Sequence, residues 1–167
     1  MADYIRFDVS GLDGVKAKMA QLKHEASYKG GRAALRKATI VLREQARANA
    51  RRLDDHESTE AIWKNVELRW NGRAFKRNGQ LAFRLGVLGG ARYSRYQKDG
   101  KSTAQRASSN PGGDTWYWRM LEFGTAKMAA RPFLRPVADQ AGQKAIDTFA
   151  REFNAALDRA LRKQAKK

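Results

Sequence analysis

The spacing of apolar residues changes along this chain, and the change limits the possible folds more than any other feature. In the first and last thirds, apolar residues recur every three or four positions, whereas in the middle third they alternate with polar residues. The first pattern predicts amphipathic helices and the second predicts half-buried strands. Their order predicts an α+β fold with long N-terminal helices, a small antiparallel sheet with a long hairpin and loop, and a C-terminal helix.

The N-terminal helical region is predicted over residues 10–53. Ser10 suits a helix cap, and apolar residues follow at helical spacing until Gly30 and Gly31, which predict an interruption. A second helix from residue 32 has one apolar face and, beside it, a basic stripe formed by Arg32, Arg36, Arg43, Arg47 and Arg51. The stripe is either the solvated flank of a helix or a surface that contacts DNA or an acidic partner.

Two alternating segments predict an antiparallel hairpin over residues 62–91. They read "IWKNVELRW" and "QLAFRLGVL", and each places most of its apolar residues on one side. Two Asn-Gly pairs lie between them and favour turns, so the hairpin is expected to end in a long basic tip. The tip contains Arg73, Lys76 and Arg77, which either contact a phosphate backbone or only keep the tip soluble.

The remaining segments complete a single predicted domain over residues 1–167. Residues 92–115 are rich in Ser, Gly, Asn and charge, and this composition predicts a flexible loop. The C-terminal helix is predicted over residues 137–162, because Pro136 suits the first helical turn and an apolar stripe follows it. No change of composition requires a domain boundary.

The segment 116–136, "WYWRMLEFGTAKMAARPFLRP", predicts a short helix followed by a docking segment. Gly124 falls where a left-handed helix cap is needed. Glu122 is expected to form a bidentate bond with Arg131 or Arg135 and so to hold the turn. The chemistry of the segment is packing rather than catalysis.

Proline restricts the end of this segment. Pro132 and Pro136 stiffen the chain around Phe133 and Leu134, which are presented either to the protein's own sheet or to a neighbouring subunit. The residues predicted to form the docking or subunit interface are Trp116, Trp118, Glu122, Gly124, Thr125, Arg131, Pro132, Phe133, Leu134 and Pro136.

Charge and composition restrict the partners. The chain carries 34 Lys and Arg against 17 Asp and Glu, a formal charge of +17, which favours polyanions. There is no cysteine, so disulfides and thiolate metal sites are excluded. No apolar run is long enough to span a bilayer, and the N-terminus does not resemble a secretory signal, so no membrane partner is expected.

Enzymatic chemistry finds little support in the sequence. The run "DDHE" at residues 54–57 contains metal-ligand side chains, but four consecutive residues do not converge on one ion without an unusual loop. No Gly-rich phosphate loop, nucleophile elbow or paired-histidine zinc motif occurs. We therefore expect no enzymatic activity, no metal and no cofactor.

Gly11-Leu12-Asp13 leading into a helical region, then strands, then "WYWRMLEFGTAKMAARPFLRPV" before a C-terminal helix resembles the tail-completion, or neck, proteins of long-tailed bacteriophages. The block from "EFGT" to "RPFLRP" is the specific part of the resemblance, and "LDDHESTEAIW" departs from the family's usual turn. The resemblance implies a hexameric ring at the head-tail junction of the virion, assembled in the host cytoplasm. It implies neighbouring neck and tail rings as partners, non-specific contact with genomic DNA, and no enzymatic activity.

A second hypothesis follows from charge alone. The protein is then a free-standing basic nucleic-acid-binding protein, a regulator or packaging factor, that uses the basic stripe. No known DNA-reading motif accompanies the charge, and for this reason the neck protein is the preferred hypothesis.

Overall fold

The computed structural model describes residues 24–53, 61–89, 110–113 and 115–166. The helices in these ranges are α1 (His24–Arg51), α2 (Ile62–Asn65), α3 (Gly72–Asn78), α4 (Trp118–Phe123) and α5 (Val137–Gln164), and the strands are β1 (Val66–Trp70) and β2 (Phe83–Val87). The predicted α+β class, with a small antiparallel sheet and a C-terminal helix, is confirmed. The predictions for residues 10–23, for the run at 54–57 and for the loop at 92–109 lie outside the described residues.

Helix α1 continues through Gly30 and Gly31, so the predicted interruption is wrong. A Cβ atom on Gly30 would lie 3.1 Å from the Cβ of Ala156, and one on Gly31 would lie 3.1 Å from the Leu81 side chain. The two glycines therefore let neighbouring elements approach α1 closely, and this packing offsets the low helix propensity of glycine.

The strands pair in an antiparallel register. The backbone N–H of Asn71 donates to the carbonyl of Ala82 (2.9 Å), and that of Leu88 donates to the carbonyl of Asn65 (2.8 Å). The predicted alternation is present, but β1 begins at Val66 rather than at residue 62, because residues 62–65 form the helical turn α2. The sequence pattern did not reveal that turn, which buries the Asn65 side chain.

The tip of the hairpin is helical rather than an open loop. The side chain of Asn71 accepts a hydrogen bond from the backbone N–H of Ala74 (3.3 Å) at the start of α3. At its end Gly79 adopts the left-handed conformation (φ 70°, ψ 3°) and donates to the carbonyl of Phe75 (2.8 Å). The two Asn-Gly pairs, which the sequence pattern predicts to form turns, thus cap a short helix.

The chain divides into two compact units, and the prediction of a single domain stays a prediction. The first unit contains, among described residues, 24–45, 68–85 and 137–166. Its core includes Ala34, Phe153 and Leu157, with the Phe149 ring stacked on Phe153 at 5.3 Å between centroids. The predicted apolar stripe of the C-terminal helix therefore supplies this core.

Aromatic rings of the hairpin pack on one another and on α1 in the first unit. The Trp70 ring lies 5.2 Å from Phe83 and 5.9 Å from Phe75, and Phe75 lies 4.7 Å from Tyr28. Such ring pairs stabilise a fold beyond the area that they bury. They hold α3 against the strands through Phe75.

The second unit contains, among described residues, 46–53, 61–67, 86–89, 110–113 and 115–136. Its buried apolar side chains are Ala46, Ala50, Ile62, Val66 and Phe133. The buried side-chain amide of Asn49 donates to the carbonyl of Phe133 (3.2 Å), which satisfies a polar group inside this core. No helix in the described ranges is long and apolar enough to cross a membrane.

The close approach at Gly30 predicts a specific sensitivity to side-chain size. We expect Gly30→Val to lower the free energy of unfolding by about 1–3 kcal/mol, because the added methyl groups are forced against Ala156. The control Ala33→Val, at an exposed position of the same helix, should cost less than about 1 kcal/mol through helix propensity alone. Chemical denaturation of both variants measures the difference, and equal losses would contradict the close packing.

Candidate interaction surface

A buried asparagine holds the chain that leads into α4. The Asn65 side chain donates to the carbonyl of Gly113 (3.0 Å) and to the hydroxyl of Thr115 (2.8 Å), and it accepts from the backbone N–H of Gly112 (2.7 Å). A Cβ atom on Gly112 would lie 2.0 Å from the carbonyl oxygen of Ala61, so only glycine fits there. These contacts position the start of the docking segment.

Helix α4 ends at Gly124, whose N–H donates to the carbonyl of Met120 (2.8 Å). The prediction of a glycine with positive φ is correct, but its conformation differs from the predicted left-handed cap, with φ 76° and ψ 179°. This region of backbone conformations is accessible essentially to glycine alone. A tight turn follows, in which Thr125 and Met128 exchange backbone hydrogen bonds of 2.9 and 3.3 Å.

Glu122 connects α4 to the chain that follows this turn. Its carboxylate accepts hydrogen bonds from the backbone N–H groups of Phe133 (2.8 Å), Leu134 (3.0 Å) and Arg135 (3.0 Å). The Glu122 residue is only 1% exposed. Three backbone donors satisfy a charge that would otherwise be costly to bury.

Arginine contributes less to this arrangement than predicted. The Nε of Arg135 lies 3.4 Å from the Glu122 carboxylate, and its Nη2 donates to the Glu122 carbonyl, so the predicted bidentate bond to the carboxylate is absent. The backbone N–H of Arg131 donates to the carbonyl of Leu121 (2.7 Å), and its side chain is exposed. The sequence shows which charged side chains lie near Glu122 but not where backbone N–H groups point. For this reason it predicts a guanidinium partner and misses the backbone donors.

The environment of Glu122 shifts its titration. Burial alone raises the pKa of this carboxyl group, but the backbone hydrogen bonds from Leu134, Phe133 and Arg135, with the Arg135 side chain, together lower the pKa below its usual value. Glu122 is therefore an anion at neutral pH, and its charge stabilises the folded state.

Several predicted interface residues lie inside the protein. Phe133 is fully buried in the second unit, and Glu122, whose carboxylate accepts from the Phe133 N–H, is buried too. The prediction that these two side chains lie at a subunit interface is therefore wrong. Two alternatives were predicted for Phe133, the protein's own sheet and a neighbouring subunit, and the burial of its side chain within its own unit excludes the second. Of the other predicted interface residues, Trp116, Trp118, Leu134 and Pro136 are half-buried and Thr125, Arg131 and Pro132 are exposed.

Three large apolar side chains that sequence reasoning did not select are exposed in the same segment. They are Met120 (42% exposed), Phe123 (65%) and Met128 (38%), and we call them the 120–128 patch. Met120 and Phe123 are three residues apart on α4 and so share one side of the helix. The spacing was visible in the sequence, but it does not distinguish a buried face from an exposed one.

Cations accompany the 120–128 patch. The side chains of Arg119, Lys127, Arg131 and Arg135 are exposed, and the Arg135 guanidinium lies 5.3 Å from the Phe123 ring. Residues 116–136 contain a single acidic residue, the buried Glu122. The surface of this segment is therefore apolar and basic.

The residues of the basic stripe have different surroundings in the two units. In the first unit, Arg32 and Arg36 are exposed and Arg43 is bonded to Glu44 (2.9 Å), with the Arg32 guanidinium 4.5 Å from the Trp70 ring. In the second unit, Arg47 donates to the Glu67 carboxylate and to the Val66 carbonyl (3.1 Å), while the Arg51 guanidinium lies 4.0 Å from the Trp63 ring. Three of the five arginines of the predicted stripe, Arg32, Arg47 and Arg51, thus contact other residues of their own unit.

The tip residues Arg73, Lys76 and Arg77 are exposed on α3. Among the described residues, no group of three or more His, Cys, Asp or Glu side chains is arranged to hold a metal ion. Comparisons of this chain with models of protein families, with curated proteins and with solved structures found no match.

The burial of Glu122 predicts a pH-dependent effect of Glu122→Gln. At neutral pH we expect a loss of about 1–3 kcal/mol of unfolding free energy, because an amide cannot accept from all the backbone N–H groups and brings its own donor toward them. Because the pKa of Glu122 is lowered in the folded state, its charge stabilises the fold at every pH above the usual glutamate pKa of about 4.3. This stability is lost as the pH falls through the folded pKa. The difference between wild type and variant should therefore shrink in acid.

Urea unfolding at a series of pH values measures this difference. Glu152→Gln is the matched control, since the pKa of Glu152 is also lowered, chiefly by its hydrogen bond to Lys37, but on the surface. We expect little change for the control at any pH. A gap between wild type and Glu122→Gln that stayed constant down to strongly acidic pH would contradict the stabilising role of the charge.

Gly124 and Gly79 give a second matched pair. A Cβ atom on Gly124 would lie 2.9 Å from the Ala130 nitrogen and 3.0 Å from the Met128 oxygen, whereas one on Gly79 would meet no atom within 4 Å. We expect Gly79→Ala to cost about 1 kcal/mol for its left-handed backbone, and Gly124→Ala to cost about 3 kcal/mol because a backbone clash is added. Thermal unfolding compares the two, and equal costs would show that the turn adapts to a side chain.

Proposed function

We propose that this protein is a structural subunit of the neck of a long-tailed bacteriophage. It forms a ring, expected to be a hexamer, that completes the tail and joins it to the head around the DNA channel. The proposal combines the resemblance of residues 116–137 to tail-completion proteins with one structural observation, the exposed 120–128 patch. We assign the protein no enzymatic activity and no cofactor, and place it in the virion after assembly in the host cytoplasm.

The 120–128 patch carries the proposal because every exposed large apolar side chain in the described residues belongs to it. Exposed apolar side chains that fall in one short segment, rather than singly over the surface, are typical of protein contact sites. Met120 and Phe123 lie on the same helix as Glu122, whose carboxylate binds three backbone N–H groups beyond the turn. A surface held in this way loses little conformational freedom on binding, and this favours affinity.

The charge around the patch favours a ring over a two-fold dimer. A two-fold contact would bring the patch of one copy against the same patch of another, with Arg119, Lys127, Arg131 and Arg135 facing their own counterparts. Repulsion between these cations opposes that arrangement. Contact with a different surface, on the next copy or on a neighbouring ring, avoids the repulsion. A repeated head-to-tail contact forms a ring when the rotation between successive copies closes.

Phe123→Asp tests this function. The change places a carboxylate on the most exposed residue of the patch, so we expect the oligomer to dissociate while the fold persists. Light scattering over a range of protein concentrations measures the oligomer, and circular dichroism checks the fold. In a phage carrying the variant, heads and tails should accumulate without joining.

Ala48→Asp is the control, because it adds the same charge at an exposed helical position of the same unit, outside the patch. The control should keep the oligomer of the wild type and should join heads to tails. A wild-type protein that remains a monomer at every concentration, with infectivity unaffected by Phe123→Asp, would overturn the proposal and leave the free-standing nucleic-acid-binding protein as the better hypothesis.

A further inference from the structure

The hairpin of the first unit carries a concentrated positive charge. Residues 68–85 contain five basic residues and no acidic residue. All five basic side chains are exposed, namely Arg69, Arg73, Lys76, Arg77 and Arg84. This surface, which we call the hairpin basic surface, is distinct from the 120–128 patch because it belongs to the other compact unit.

Two arginines on the strands face each other. The register that pairs Asn71 with Ala82 and Asn65 with Leu88 places Arg69 directly opposite Arg84, on the same side of the sheet. Like charges in such a pair destabilise a sheet. Within the described residues neither arginine forms an ion pair, and Arg84 makes only a 3.3 Å hydrogen bond to the Asn71 side chain. A bound anion that contacts both Arg69 and Arg84 would offset the repulsion between them and so explain why the pair is present.

The tip helix adds three more cations to this surface. Arg73, Lys76 and Arg77 follow the spacing i, i+3, i+4 and therefore share one side of α3. Phe75 lies among them in sequence, but its ring packs against Trp70 and Tyr28. These ring contacts fix the orientation of α3, so the cations are exposed by the fold rather than by a mobile loop.

The character of the surface identifies its ligand. A protein partner is usually bound through an apolar centre, and this unit exposes no large apolar side chain among its described residues. Single-stranded nucleic acid is usually bound by stacking on free aromatic rings, whereas Trp70, Phe75 and Phe83 are half-buried and packed on one another. Exposed cations without apolar or aromatic contacts suit the phosphate backbone of a duplex.

We propose that the hairpin basic surface is a binding site for the phosphate backbone of duplex DNA and that it binds without sequence preference. The exposed Arg32, whose guanidinium lies against Trp70, extends the site onto α1 within the same unit. The inference does not depend on the proposed neck function, since its contacts belong to one subunit. In a neck ring, weak contacts of this kind would let DNA pass without arrest.

Fluorescence anisotropy tests the site with the full-length protein and a duplex of about 25 base pairs at several salt concentrations. The combined variant Arg73→Gln, Lys76→Gln and Arg77→Gln should bind at least about tenfold more weakly, and the slope of log affinity against log salt should fall by roughly 2 to 3. The pair Arg69→Gln and Arg84→Gln should also weaken binding while the melting temperature is kept or raised, because the like-charge pair is removed.

The control neutralises three exposed cations on α5, with Arg159→Gln, Arg162→Gln and Lys163→Gln. It changes the net charge as the tip variant does but should leave both affinity and slope close to wild type. Equal losses in the tip variant and the control would show that only net charge matters and would overturn the site. Stronger binding to single-stranded DNA or to poly-glutamate than to the duplex would overturn the choice of ligand.

The same assay on Phe123→Asp separates the two proposals. A dissociated protein that binds the duplex with an unchanged salt slope supports the site whatever becomes of the ring. If the tip variant forms an intact ring and binds the duplex with the affinity and salt slope of wild type, the site is overturned and the proposed neck function still stands.

Discussion

The carboxylate of Glu122 is the interaction on which the docking segment depends. It accepts hydrogen bonds from three consecutive backbone N–H groups, those of Phe133, Leu134 and Arg135, and so closes a loop that begins at the end of α4. The closure sends the Phe133 side chain into the core and leaves Met120, Phe123 and Met128 exposed. A buried charge is stable here only because backbone donors that would otherwise be unpaired converge on it. The burial of Phe133 and the exposure of the 120–128 patch thus have one physical origin.

The two compact units expose different chemistry. The second unit exposes both large apolar side chains and cations in the segment 116–136. This combination suits an acidic protein surface. In the first unit the hairpin exposes cations without apolar neighbours, and this suits a phosphate backbone. The two contacts that we propose for this chain, which has a charge of +17, therefore use different surfaces. Net charge alone could not have separated them.

Prediction from sequence succeeded where the spacing of apolar residues follows from which residues are buried. It failed where the local conformation depends on contacts with residues distant in sequence. The alternation around β1 and β2 and the stripe of α5 identified elements, because a strand buries every second residue and a helix every third or fourth. The Asn-Gly pairs were assigned to turns, yet they cap α3, since the aromatic contact of Phe75 with Trp70 and Tyr28 stabilises a helix between them. Glu122 holds the turn, but its partners are chiefly backbone groups that no sequence pattern displays.

The sequence by itself determined the α+β class, the C-terminal helix, the excess of positive charge and the need for glycine at position 124. These follow from local rules of periodicity, charge and backbone conformation that act within a few residues. Only the tertiary structure decided that α1 continues through Gly30 and Gly31, that Phe133 lies inside, and that Arg69 stands opposite Arg84. Each of these outcomes depends on atoms brought together from distant positions, because close packing and strand register are set by the partner surface as much as by the segment itself.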